Sequence, residues 1–188
     1  MDEIKIGSQI WMSRNLNVEK FLNGELIREV KTNEDWFKAR QQKQPAWCYY
    51  KNDKAFGDRF GKLYNWYAVN DPRGLAPKGW HIPSIKEWEA LINTLGKNTA
   101  GIKIKTDNTN RSPYGHLGNN ESAFSALLSG CRDEDDDFAK IDGYAYWWSS
   151  EKNTDYSATF FWTNESSTEI YNNAYDIGMG LSVRCIKD

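Results

Sequence analysis

Nothing in this 188-residue chain approaches the roughly 20 consecutive apolar residues that a bilayer-spanning helix requires. Met1-Asp2-Glu3 opens it without the basic-then-apolar pattern of a secretory signal, so the expectation is a soluble chain as it stands. An excess of one charge is also lacking. Lys and Arg number 24 against 26 Asp and Glu, and no long basic run exists to track a phosphate backbone, which disfavours nucleic-acid binding. Histidine is scarce: His81 and His116 are the only two, and neither stands in a His and carboxylate group at metal-ligand spacing, so no histidine-based iron or zinc site is expected. The three cysteines, Cys48, Cys131 and Cys185, are too few and too dispersed for a zinc cage. They allow one disulfide at most, and Cys48 and Cys185 read equally well as buried thiols. No internal repeat and no linker-like stretch divides the chain, so residues 1–188 are expected to form one domain.

Aromatic residues are what the chain has in abundance. Nine Trp, ten Tyr and eight Phe bring the aromatic share to 14% while the mean hydropathy is only −0.77. Half-polar rings therefore carry packing that Leu and Val usually carry, and such rings also suit exposed binding surfaces.

Local patterns give a coarse order of elements. Ile4-Lys5-Ile6 and Gln9-Ile10-Trp11-Met12 read as short strands around a Gly-Ser break, and Asn23-Gly24 between apolar residues reads as a hairpin. Thr32-Asn33 followed by Glu34 and Asp35 predicts a helix start, with the helix ending before Pro45, and Ala46 to Tyr50 reads as an inner strand. Gly61 to Val69 fits neither period. Ser84 and Glu87 form a capping box for a helix whose apolar face is Ile85, Trp88, Leu91, Ile92 and Leu95, closed by Gly96. Residues 97–121 read as a long polar loop, including turns at Asp107 to Asn110 and an exposed His116. Strands are expected at 123–128, 144–150, 158–162 and 181–186. Two main helices, antiparallel strands and long loops make the expected class α+β.

Three features invite chemistry. His81, between Trp80 and Ile82, reads as a structural hydrogen-bonding residue. Asp133-Glu134-Asp135-Asp136-Asp137 lacks the spacing and glycine of a calcium loop and reads as a solvated acidic turn, so neither metal nor cofactor is predicted. Residues 151–180 are different: roughly half are Asn, Ser, Thr, Tyr or Asp, interleaved with large rings, the composition of a paratope. Tyr156, Phe160, Trp162, Asn164, Tyr171, Asn173, Tyr175 and Asp176 are the candidate ligand-binding residues, with core packing as the competing reading for Phe160 and Trp162, which share strand parity.

Several runs then carry a resemblance. Gln9-Ile10-Trp11-Met12-Ser13-Arg14-Asn15-Leu16, Gly61-Lys62-Leu63-Tyr64-Asn65-Trp66-Tyr67-Ala68, Pro77-Lys78-Gly79-Trp80-His81-Ile82-Pro83-Ser84, Glu87-Trp88, Tyr146-Trp147-Trp148-Ser149-Ser150 and Ser182-Val183-Arg184-Cys185 resemble the Fibrobacter succinogenes major paralogous domain, in order and over nearly the whole chain. That family is similar to the formylglycine-generating enzyme and sulfatase-modifying-factor group. The resemblance implies a C-type-lectin-like fold with the two termini paired as neighbouring strands and the ligand surface between the last strands. It also implies a setting at the cell envelope or a virion. Some relatives are hypervariable proteins diversified by retroelements, with variation just before the terminal Ser-Val-Arg-Cys-like strand, where residues 153–179 lie here. Two departures stand out: Cys131 in Ser129-Gly130-Cys131-Arg132, and the acidic run after it. The active-site cysteine pair of formylglycine-generating enzymes is not reproduced around Cys131 and Cys185, and the adjoining Arg132 and Arg184 would point to opposite strand faces from them.

The expected function is a non-catalytic display or adhesion module for a protein or glycan ligand on a cell surface. The alternatives are a formylglycine-generating-type thiol oxidase and a structural component of a surface appendage or phage particle. The sequence leaves the oligomeric state open.

Overall fold

A computed structural model describes residues 2–106 and 118–188. The turns expected at 107–110 and His116 lie outside the described residues. The chain opens with β1 (Glu3–Ile6) and β2 (Gln9–Met12), an antiparallel hairpin turned at Gly7 in the left-handed region. The Asn23-Gly24 turn is present with Gly24 at φ 91, but it joins only an isolated bridge between Lys20 and Leu26, not two strands. Then follow β3 (Arg28–Glu29), α1 (Asn33–Gln41) and β4 (Ala46–Cys48). Thr32 caps α1 by accepting from the Asp35 N–H, as its sequence signal predicts.

The stretch that fits neither period proves to be both. After α2 (Lys54–Phe60), β5 (Leu63–Tyr64) gives way at Asn65 to the single turn α3 (Trp66–Val69). Asn65 makes the switch. Its buried carboxamide accepts from the N–H groups of Ala46 and Ala68 and donates to the Gln44 carbonyl, tying strand, turn and loop together. β6 (Trp80–His81) precedes α4 (Ile85–Leu95), whose capping box is complete in both directions and whose Trp88, Leu91, Ile92 and Leu95 are buried.

Two expectations are corrected beyond α4. The polar stretch after Gly96 contains a helix, α5 (Ala100–Ile104), because Ala100 and Ile104 seat in the core and Gly101 lies against the backbone of Glu169. Residues 123–128 are not a strand. Ala123 and Ser125 take positive φ, so the chain zigzags Phe124, Ala126 and Leu128 inward without a ladder. The strand begins one step later as β7 (Ser129–Arg132), paired with β8 (Phe138–Ile141). The acidic run forms the tip of this hairpin and is not wholly solvated, since Asp136 is buried beside Arg40.

A three-stranded antiparallel sheet closes the order: β9 (Tyr144–Lys152), β10 (Ser157–Asn164) and β11 (Tyr171–Asp176), with β10 in the centre. The terminal stretch, read as one strand over 181–186, is regular only as β12 (Ile186–Lys187). Before that it bridges Tyr64 through Leu181 and Trp147 through Ser182. β12 lies between β2 and β6 in the sheet β1-β2-β12-β6, so the terminal strand neighbours the amino-terminal hairpin.

One face of β9 and β10 packs Trp147 and Phe161 on Trp88 of α4, with Phe161 stacked on Trp88 at 5.0 Å between centroids. The opposite face sends Trp148 and Phe160 into a second core with Trp47, Tyr64 and Trp66. Helices thus sit against antiparallel sheets, an α+β arrangement. Among the described residues no helix is long and apolar enough to cross a membrane.

Candidate functional site

The second face of the β9-β10-β11 sheet is covered at one end and bare at the other. Side chains alternate across a strand, so Trp148 and Tyr146 on β9, Phe160 and Trp162 on β10, and Tyr171, Asn173 and Tyr175 on β11 share this face. Phe160 is only 6% exposed, wedged edge-on against Trp148 at 6.0 Å and Tyr146 at 5.9 Å. Of the two readings kept for it, core packing is the one the structure realises, and its ring has no part in any exposed surface. One residue pair further along, cover runs out. Trp162 is half-buried, and Tyr171 opposite it is 41% exposed with the two rings 4.8 Å apart. Tyr144 lies 5.8 Å from Trp162 and stacks on Tyr146 at 5.7 Å. Four rings from three strands therefore make one continuous patch, with the Lys140 ammonium 5.9 Å from the Tyr144 ring at its margin.

The polar tips of this patch have no hydrogen-bond partner among the described residues. Among the described residues the Trp162 indole N–H and the hydroxyls of Tyr144, Tyr146 and Tyr171 make no hydrogen bond, although buried tryptophans elsewhere almost all do. Burial, with the nearby acidic groups adding to it, raises the Tyr146 hydroxyl above the ordinary phenol range, so it remains a donor at physiological pH.

A second group lies toward the other end of β11. Tyr156 is 78% exposed on the β9-β10 turn and Tyr175 46% exposed, and both border an open cleft of about 490 Å³ with Arg40, Glu134 and Asp176. Arg40 organises this end: it donates to Asp176 Oδ2 at 2.7 Å and to the Glu134 carbonyl at 2.7 Å. The Tyr175 hydroxyl donates to Glu134 Oε1 at 3.3 Å, and the charge of that carboxylate raises the Tyr175 pKa.

The remaining candidates are occupied by local structure. Asn173 is exposed, but its carboxamide oxygen accepts from the Ala174 N–H; Asn164 Oδ1 accepts from the N–H and hydroxyl of Ser166. Asp176 Oδ1 accepts from Gly178 N–H while its other oxygen holds Arg40. The eight candidates thus fall into Trp162, Tyr171 and Asn164 at one end and Tyr156, Tyr175 and Asp176 at the other, with Asn173 between and Phe160 beneath. Tyr144, Tyr146, Lys140, Glu134 and Arg40 escaped sequence reasoning. The period-two spacing of Tyr144 and Tyr146 on the parity opposite Trp147 could have flagged the first pair; nothing local flags Arg40, which arrives from α1.

The remaining chemistry-bearing groups lie elsewhere. Cys48, Cys131 and Cys185 are free and buried, and burial pushes each thiol up to about 12. His81 bridges Asp188 Oδ1 at 2.8 Å and Glu87 Oε1 at 2.7 Å, the structural role its flanks suggest. Among the described residues no group of three His, Cys, Asp or Glu side chains is placed to hold a metal ion.

Antiparallel sheets with helices packed on them, and an aromatic patch partly exposed on one sheet, define an α+β protein. The chain belongs to the Fibrobacter succinogenes major domain family, whose model matches residues 4–187. No curated protein and no solved structure matches it significantly.

Proposed function

We propose that the chain is a non-catalytic ligand-binding module: a C-type-lectin-like scaffold of the formylglycine-generating-enzyme type that offers the aromatic face of β9, β10 and β11 to a protein or glycan. The observation that carries this reading is the contrast among the tryptophans. Trp11, Trp36, Trp47, Trp66, Trp147 and Trp148 each give their indole N–H to an acceptor, Trp88 alone among the buried tryptophans not doing so, whereas half-buried Trp162 and the three tyrosines around it give theirs to no acceptor among the described residues. Rings fixed by mutual contact lose little freedom when a partner arrives, and unbonded N–H and O–H tips supply directional bonds. Thiol oxidation is the weaker reading because thiols held near 12 by burial supply no thiolate at neutral pH.

In this reading the module works at a cell envelope or virion, and residues 153–179, which carry Trp162, Tyr171 and Tyr175, are where retroelement-diversified sibling copies would differ. Screening against a glycan array and a displayed peptide library, followed by a variant carrying Tyr144→Ser, Trp162→Ser and Tyr171→Ser, tests it. The expected result is a selected ligand whose binding the variant loses while its thermal midpoint stays within about 4 °C. Undiminished binding by the variant would remove the patch from consideration, and a much larger drop in midpoint would reassign the rings to folding.

A further inference from the structure

A second site lies away from the aromatic face and shares no residue with it. Arg184, in the terminal stretch, is 1% exposed, yet no carboxylate lies within salt-bridge distance of it among the described residues. Its guanidinium is held by neutral acceptors only. Nε and Nη2 both donate to Asn15 Oδ1 at 3.1 and 2.8 Å, Nη1 donates to the carbonyls of Met12 and Phe124 at 3.1 and 2.6 Å, and the Phe124 ring lies 4.3 Å away. A guanidinium has five N–H bonds, so among the described residues one of the two on Nη2 is left without an acceptor. A buried cation ordinarily finds a counter-ion, because dipoles replace lost hydration only in part. Burial pulls this guanidinium down to about 9, in keeping with that shortfall.

Arg184 also lines a cleft of about 440 Å³ between the end of β2 and the end of α2. Arg14 and Arg59 are exposed on its rim, and Arg14 makes no ion pair or hydrogen bond among the described residues. Among the described residues of the lining the acids are Asp2 and Asp58 against the three arginines Arg14, Arg59 and Arg184, so positive charge is in excess by one. Ser13, Asn17 and Ser125 bring hydroxyl and carboxamide groups to the wall.

From this geometry we infer that the cleft binds a small polyhydroxylated carboxylate of about the size of a uronic acid, its carboxylate taken by the open N–H of Arg184. One surplus charge suits a carboxylate better than a phosphate dianion. The cleft exceeds a bare carboxylate in volume and falls in the range of small-ligand sites, and its wall, about half polar and half apolar, suits the hydroxyls and the C–H faces of a hydroxylated ring.

Titrating the intact chain with sodium glucuronate, and with glucose at matched ionic strength, tests this while the Arg184 Nε–H resonance, assigned through bonds, is followed by NMR. The expected result is a saturable one-site shift with glucuronate, none with glucose, and about tenfold weaker binding in Arg14→Glu, a rim-charge reversal that leaves the core untouched. No shift up to about 50 mM glucuronate, far above the millimolar range of weak specific sites, would overturn the proposal. So would an equal response to glucose, or a titration unchanged in Arg14→Glu.

Discussion

Single side chains in this protein solve the problem of burying charge with carbonyls and rings. Arg132, fully buried, donates to the carbonyls of Asp136 and Val30 and to Asn33 Oδ1, and lies over the rings of Trp36 and Phe138. Lys105 donates to the carbonyls of Asn164, Glu165 and Ser167, and burial lowers it to about 8. Asn15 is the most demanding of these centres, because its one oxygen serves Arg184 twice and Trp147 once while its nitrogen donates to the Phe60 carbonyl. Replacing Asn15 with Ala strands buried donors, and chemical denaturation should register a loss of about 3–5 kcal/mol. His81 makes a pH prediction. Burial alone would lower its pKa, but the hydrogen bonds it donates to the Glu87 and Asp188 carboxylates outweigh that and leave it raised. A raised folded-state value means the bridge contributes fully below the unfolded pKa of about 6.5 and is lost as pH climbs through the folded value. The thermal midpoint of His81→Gln should therefore fall below that of the parent chain at pH 6, and the gap should close in mildly alkaline buffer. A gap independent of pH would show that His81 acts by packing alone.

Elements were legible where the signal was local. The Ser84 and Glu87 capping box, the Thr32 cap, the alternation of β1 and β2 and the aromatic runs of β9 and β10 all rest on residues within a few positions of each other. α5 was not legible, because Ala100 and Ile104 are apolar for a core that α4 and the sheet create. Its close approach is set by Gly101: a Cβ there would sit 2.4 Å from the Glu169 carbonyl oxygen, and the Gly101 N–H already donates to Thr168. Gly101→Ala should destabilise the chain by about 1–3 kcal/mol, with hydrogen-exchange protection lost first at α5 and the loop before β11. Full retention of protection would mean that the loop simply moves aside. β11 shows another non-local feature: it is an edge strand, and the Asn173 side chain occupies the Ala174 N–H, blunting one of the groups an edge offers to a stray strand.

At the scale of the molecule, the terminal stretch is the common thread. Gly180 exchanges backbone bonds with Arg132, Leu181 with Tyr64, Ser182 accepts from Trp148, Val183 from Leu16 and Cys185 from Met12, before Ile186 pairs with both Trp11 and His81. Each of the four sheets meets it through a strand of its own, the aromatic sheet through Trp147 and Trp148 of β9. Removing residues 181–188 should abolish cooperative unfolding, monitored by near-ultraviolet dichroism of the buried tryptophans. A truncated chain that kept a sharp transition would show that the sheets cohere without this stretch.

The chain's own order of residues determined its class, its helix starts, its aromatic strands and the region that carries the exposed rings, because caps, turns and alternation act over a few residues. It did not determine which rings would face out. Phe160 and Trp162 share a strand and a parity, yet one is fully buried and the other only half-buried at the edge of the same core. The difference is made by Trp148 and Tyr146 laid beside them on β9, and the cleft around Arg184 likewise exists only once residues 13–17, 57–61 and 184 meet. Exposure is a property of what packs on top, and that is decided by contacts between residues distant in sequence.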